Sequence, residues 1–146
     1  MDRYPTKVQL LDEECKPYKK YTTDAGWDLR SANETFTLYK GAKVAVNTGI
    51  KLGIPKGQCG IILPRSGMGT KFRVALANTA GVIDSEYRGE VVVFLVNDGT
   101  EDVEIEQYSR IAQLLIIPVN ISQLRYTTNL PPTKRGDGGF GPTGET

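Results

Sequence analysis

The 146-residue chain contains no histidine. That removes the imidazole general base and the imidazole metal ligand, and with them Ser-His-Asp and Cys-His nucleophilic machinery. Cysteine is nearly absent as well. Cys15 and Cys59 stand far apart without the paired spacing of a zinc site, and they are read as two reduced, inert thiols. No sign of charge dominates, with 18 Lys plus Arg against 17 Asp plus Glu, so no basic field for a nucleic acid or a membrane surface is expected. A small polyanion needs only a local cluster of arginines and stays compatible with this balance. No apolar run approaches membrane-spanning length, and MDRYPTKVQLLDEE at the N-terminus lacks the apolar centre of a signal peptide. The expectation is a soluble, intracellular protein, cytoplasmic in a bacterial source. Glycosylation sequons at Asn33 and Asn120 are chance matches in that context.

Helical periodicity is also scarce, and what is present is strand. Short β-branched or alternating runs occur at Val8–Leu11, Thr35–Tyr39, Val44–Ile54, Gln58–Leu63, Arg73–Asn78, Val91–Val96 and Ile111–Val119. Turn residues separate them, among them Lys40-Gly41, Pro55-Lys56-Gly57 and Asp98-Gly99. Such a pattern predicts one all-β sandwich or barrel, with at most a weak helix after Ser66 because Gly67 and Gly69 follow it. Val91–Val96 and Ile111–Ile117 are apolar on both faces and call for cover from a second sheet or from another subunit. From about Asn129 the composition turns to Pro and Gly. The predicted organisation is a β domain over residues 1–128 and a flexible, glycine-rich arm over 129–146.

The segment AGVIDSEYRGEVVVFLVN, residues 80–97, is the most informative. Gly81 and Gly89 bracket a short acidic turn followed by an apolar strand, which predicts a β-hairpin with Asp84 and Tyr87 at its mouth. Without proline, both arms keep backbone amides free for a ligand. The segment resembles the third motif of the trimeric deoxyuridine triphosphatases (dUTPases). Four further segments match that family's pattern in order: AGWDLRSA (25–32), PRSGMGTK (64–71), RIAQLLI (110–116) and RGDGGFGPTG (135–144). Five ordered matches over nearly the whole chain identify the resemblance.

The resemblance implies an all-β, distorted jelly-roll-like sandwich or barrel that hydrolyses dUTP to dUMP and pyrophosphate by water attack on the α-phosphate. Asp84 matches the base that orients and deprotonates the water, a role worth roughly 10²–10⁴-fold in rate. A turn-forming aspartate is its plain alternative. Tyr87 matches the ring beneath the deoxyribose, where a 2′-hydroxyl would collide; an edge-strand aromatic of the core is the competing reading. Asn78, with the backbone of Gly81, Val82 and Ile83, matches the uracil reader. Uracil presents an acceptor where cytosine presents a donor, and a site built for one leaves unpaired groups with the other.

Arg65, Ser66 and Gly67 match the phosphate-side motif, with Ser66 near the α,β-bridging oxygen. Arg110 and Gln113 match residues that contact phosphate and the neighbouring subunit, and bidentate geometry favours Arg there. A strand-edge salt bridge from Arg110 to an acid such as Glu106 is the alternative. Asp28 matches the carboxylate that holds hydrated Mg²⁺ through water, which suits an ion that keeps its water shell; a structural aspartate at a strand start is the alternative.

The tail mimics three unrelated motifs. Gly136-x-Gly138-x-x-Gly141 has dinucleotide spacing without room for a βαβ unit. Gly139 to Thr146 has Walker A spacing with Glu145 in place of the lysine, and Arg135-Gly136-Asp137 is an adhesion tripeptide without a secretion signal. The resemblance instead implies an arm that closes over bound nucleotide, with Arg135 on the γ-phosphate and Phe140 and Gly141 over the uracil. It further implies a homotrimer whose active sites are shared between chains. Departures are Trp27, Pro64, Arg73 and Pro142, the last deleting an N–H and a hydroxyl that could meet phosphate. Two other functions share the pattern in part: dCTP deamination, for which a glutamate rather than Asp84 would stand at the hairpin, and nucleotide-dependent regulatory binding of a protein.

Overall fold

The computed structural model describes residues 5–139. Its ten strands are β1 (Lys7–Leu10), β2 (Trp27–Arg30), β3 (Phe36–Leu38), β4 (Lys43–Gly53), β5 (Gln58–Pro64), β6 (Val74–Leu76), β7 (Gly81–Ile83), β8 (Glu90–Asn97), β9 (Val103–Ile105) and β10 (Arg110–Pro118). A single α-helix, α1 (Ser66–Phe72), and a 3₁₀ turn at Glu13–Cys15 complete the regular structure. The strands form two four-stranded antiparallel sheets, β1-β4-β8-β6 and β2-β10-β5-β7, and a small pair β3-β9. Their inner faces meet in one core that takes Leu29, Ile62, Ile111 and Leu114 from one sheet and Val46, Leu52, Val91, Val93 and Leu95 from the other. The all-β sandwich expected from the strand pattern is therefore what the chain forms.

The seven predicted strands all form, with ends displaced by one or two residues at most sites. Three further strands form outside those seven runs, among them β7, the first arm of the expected hairpin. β2, β7 and β9 are only three or four residues long, too short for alternation to stand out from a turn. The helix after Ser66 forms despite Gly67 and Gly69. It ends at Arg73, whose φ of 55° lies in the left-handed region normally given to glycine, and whose amide caps the Met68 carbonyl. The departure at Arg73 thus falls at a strained helix terminus, and its guanidinium pairs with Asp98 at 3.1 Å.

The predicted hairpin over residues 80–97 does not form. β7 pairs with β5 in one sheet, through Gly60 with Ile83 and Ile62 with Gly81, whereas β8 pairs with β4 and β6 in the other. Residues 84–89 are thus a corner between the sheets. Both edges of β8 are occupied, so the backbone groups free to meet a ligand are those on the open edge of β7 and not those of two arms.

β8 also alternates more strictly than its composition suggests. Val91, Val93 and Leu95 are buried, while Val92 and Phe94 are 38% and 50% exposed on the outer face. After Pro118 the described chain has no further strand or helix, and Ile121, Leu124, Tyr126 and Leu130 are exposed. Cys15 and Cys59 are both buried and free, in line with inert thiols. Burial and the nearby Asp12 carboxylate push the Cys15 thiol up to about 11.

Candidate active site

Strand register assembles the first half of the site. On β10, Gln113 lies opposite Asp28 of β2 and Leu63 of β5, and Ala112 lies opposite Pro64. Three sequence-distant motifs therefore meet across neighbouring strands. The Gln113 amide donates to the Pro64 carbonyl at 2.9 Å and so ties β10 to the start of the Arg65–Ser66 segment. Gly26, which the sequence reading did not single out, makes the approach of β2 possible. A Cβ there would lie 2.9 Å from Gln113 Oε1 and 3.2 Å from Leu115 Cδ1.

Asp28 is the centre of this half. Arg65 Nε lies 3.3 Å from one carboxylate oxygen and Arg110 Nη1 lies 3.1 Å from the other. Arg65 also donates from Nη1 to the Arg110 carbonyl at 3.0 Å. The strand-edge alternative for Arg110 is corrected in its partner: the acid is Asp28 and not Glu106. The Arg110 guanidinium also sits 5.0 Å from the Tyr18 ring centroid, with Arg30 at 5.8 Å from the same ring. Three guanidiniums gather around one carboxylate and one aromatic face, which leaves this patch with an excess of positive charge suited to a polyphosphate. Ser66 is exposed at the first position of α1, beside Arg65, and its hydroxyl has no partner among the described residues.

A metal ion would meet limited protein ligation here. Among the described residues no group of three or more His, Cys, Asp or Glu gathers to hold one. The Asp28 carboxylate offers about four acceptor positions; two guanidiniums occupy part of that capacity, and its side chain remains 23% exposed. The residues present fit a hydrated ion held through water and not a protein-built cage.

The second half is the β6–β7–β8 region. Asn78 is exposed in the turn before β7, its amide nitrogen facing the position a Gly81 Cβ would take at 3.7 Å. Asp84 follows β7 directly and is exposed, with no side-chain hydrogen bond or ion pair among the described residues. The Tyr87 amide donates to the Asp84 carbonyl at 3.1 Å, closing the turn that separates the two side chains. Tyr87 is 45% exposed, so it is not a core aromatic. Its hydroxyl donates to the Glu90 carbonyl at 3.0 Å, and its ring lies where a Cβ on Gly89 would be. Gly89 is therefore a spacing requirement of the ring. Arg88 donates from Nη1 to the Ser85 and Tyr87 carbonyls at 2.7 and 2.9 Å. Sequence reasoning takes Gly89 only as a turn bracket and passes over Arg88, although a glycine two positions after a site aromatic is a usable signal for close approach.

Gly67 lies in α1, and Gly81, Val82 and Ile83 form β7. Arg135 is exposed and donates to the Gly138 carbonyl at 2.8 Å, within its own segment. Phe140, Gly141 and Pro142 lie outside the described residues.

A family model described as dUTPase matches residues 13–144. A deoxyuridine 5'-triphosphate nucleotidohydrolase of Anaeromyxobacter sp. (strain Fw109-5) is 48% identical, over 94% of this chain and 96% of its own length. The corresponding protein of Sinorhizobium medicae is 46% identical, over 95% and 90%. Among solved structures, the Staphylococcus bacteriophage 80alpha dUTPase with dUpNHpp superposes with a TM-score of 0.86 at 28% identity, over 96% of this chain and 98% of that one. A mutant dUTPase of S. aureus phage phi11, described with a coordinated structural Mg(II) ion, superposes with a TM-score of 0.77 at 25% identity, over 86% and 98%. Ordered motifs, sandwich and arginine-rich site agree with these likenesses, and the chain belongs to the dUTPase family.

Proposed function

We propose that this protein hydrolyses dUTP to dUMP and pyrophosphate by water attack on the α-phosphate, lowering dUTP and supplying dUMP for thymidylate synthesis. The observation that carries the reading is that a dUTPase-family chain holds both an Asp84 without a side-chain partner among the described residues, beside the open edge of β7, and an arginine cluster at Asp28. Asp84 accepts the proton of the attacking water. Asn78 and the free edge of β7 (Gly81, Val82, Ile83) read the uracil edge, and Tyr87 packs under the deoxyribose. Arg65, Ser66, Gly67, Arg110 and Gln113 bind and orient the phosphates, with the Ser66 hydroxyl donating to the oxygen that leaves.

Mg²⁺ bound by the triphosphate would neutralise phosphate charge. Asp28, which keeps both arginines oriented, would hold such an ion through its water shell. Residues 129–146 act as an arm that closes over the nucleotide through Arg135, Phe140 and Gly141, excluding water around the reacting phosphate. The apolar outer face of β8, with Val92 and Phe94, supports assembly with further copies, and the homotrimer of the family accounts for that cover. No described helix is long and apolar enough to cross a membrane. An intracellular location fits this chemistry.

Product analysis with dUTP, dCTP, dTTP and UTP in the presence of Mg²⁺ tests the assignment. The expected result is dUMP and pyrophosphate from dUTP alone. Ammonia from dCTP, or binding of dUTP with no turnover of any nucleotide, would overturn it. Removing the chain from Arg135 onward is expected to abolish turnover with the thermal midpoint retained; full activity would refute the closing role.

A further inference from the structure

We propose that Arg88 is a positioning residue that sets Asp84 and Tyr87 relative to each other by bracing the corner between the two sheets; the inference rests on the catalytic and sugar-packing roles assigned above. The corner must carry a base and an aromatic ring three residues apart, yet its backbone supplies little rigidity. Its internal backbone hydrogen bond is the one from the Tyr87 amide to the Asp84 carbonyl. β7 and β8 diverge into different sheets, so no ladder runs across the corner.

Arg88 fills that gap. Its Nη1 reaches back to the Ser85 carbonyl at 2.7 Å and the Tyr87 carbonyl at 2.9 Å, and lies 3.5 Å from the carbonyl of Leu52. The first two contacts fix the Ser85–Glu86 and Tyr87–Arg88 peptides, and so the turn from which Asp84 and Tyr87 project. Leu52 is a buried residue of β4, so the third refers the corner to the core of the opposite sheet. Charge-assisted donation makes these contacts stronger than neutral ones. Arg88 forms no ion pair among the described residues, unlike Arg65, Arg73 and Arg110. Among the described residues the acceptors of Arg88 are all backbone carbonyl oxygens. On the other side the Tyr87 hydroxyl is held by the Glu90 carbonyl and its ring by the bare Gly89, so guanidinium and ring clamp the same turn from two directions.

A methionine at this position keeps most of the length and none of the donors; a lysine keeps charge and donors but not the planar fork. In Arg88→Met, kcat for dUTP is expected to fall by about 10²-fold, as for a misplacement of about 1 Å. The dissociation constant for dUpNHpp should stay within about threefold, well under one decade of binding energy. Hydrogen exchange over residues 84–90 should accelerate without change in the core strands. Arg88→Lys is expected to recover part of kcat and part of the exchange protection. If Arg88→Met does not fold, Arg88→Lys decides, with lowered kcat and unchanged dUpNHpp affinity as the expected result.

Wild-type kcat in the folded variants would overturn the proposal. So would a loss of dUpNHpp affinity that matches the loss of kcat, because Arg88 would then be a substrate ligand. Wild-type turnover of dUTP is measured first. Its absence would count against the assigned function, while the exchange measurement would still test the brace.

Discussion

Asp28 and Asp84 are the same residue type in the two halves of the candidate site, at opposite edges of one sheet, and the fold treats them in opposite ways. Asp28 sits on a strand, with an arginine on each carboxylate oxygen and a register partner on β10. Asp84 sits where a strand ends, exposed and unpaired among the described residues. The first arrangement suits a carboxylate whose work is to hold cations in place. The second suits one whose oxygen must stay free to take a proton from water. Strand pairing supplies precision on the phosphate side, whereas the corner draws its order from a few side-chain contacts to backbone carbonyls. A division of this kind puts geometric rigidity on the proposed phosphate side and leaves a free acceptor at the proposed base.

The largest effect expected from breaking this contrast is at Asp84. Asp84→Asn removes the acceptor without changing size, and hydrolysis should fall roughly 10²–10⁴-fold, the usual range for a positioned base. Pyrophosphate release and calorimetry with dUpNHpp would show lost turnover with retained binding; turnover at the wild-type rate would remove Asp84 from the mechanism. Asp28→Asn should act differently. Two arginines lose their common anchor while the patch gains positive charge, so kcat should fall about tenfold with little change in triphosphate affinity. The pairs are partly exposed, 23% at Asp28 and 26% and 39% at the arginines, so urea unfolding should register a loss of no more than about 1 kcal/mol for each pair. A large loss of stability would make Asp28 a structural residue.

A smaller effect is expected at Gly89. Gly89→Ala places a methyl group inside the Tyr87 ring position, so the ring must move. The preference for dUTP over UTP, read as a ratio of kcat/KM values, should drop about tenfold while the fold persists. An unchanged ratio would separate Tyr87 from sugar selection. The smallest effect lies outside the site. The folded Cys15 thiol titrates at about 11 against an ordinary 9.0, so the unfolded chain loses this proton first. The stability it contributes is complete below about 9 and is lost as pH rises from there towards 11. Urea midpoints of the wild type and Cys15→Ala should converge over that interval, with dUTP turnover near neutral pH unaffected.

Much of the candidate site is legible in the sequence. Asp28, Arg65, Asn78, Asp84, Tyr87 and Arg110 stand in segments whose order and residue types carry the family resemblance. Gln113 beside Asp28 and Pro64 is what a β strand between two motif-bearing strands would produce. The hairpin was the main misreading. Gly81 and Gly89 around a polar turn describe a hairpin and an inter-sheet corner equally well, because the local conformations of the two are alike. What separates them is which strand pairs with β7, and that partner, β5, lies about twenty residues earlier in the chain. The ion pairs of Asp28 were illegible for the same reason, since Arg65 and Arg110 are remote in sequence. Arg88 drew no notice because an exposed arginine beside a turn is ordinary until its carbonyl partners are known.

The sequence by itself determined the fold class and the chemical inventory. Alternating short strands can bury their apolar faces only in a sandwich or barrel, and a chain without histidine has no imidazole base. Only the tertiary structure decided which carboxylate is locked and which is free, which strand edge stays open, and what holds the corner between the sheets. Those properties depend on hydrogen bonds and ion pairs between residues far apart in the chain. Pairing of that kind is selected by the packing of the whole core, where a shift of one residue in register exchanges every buried side chain for an exposed one.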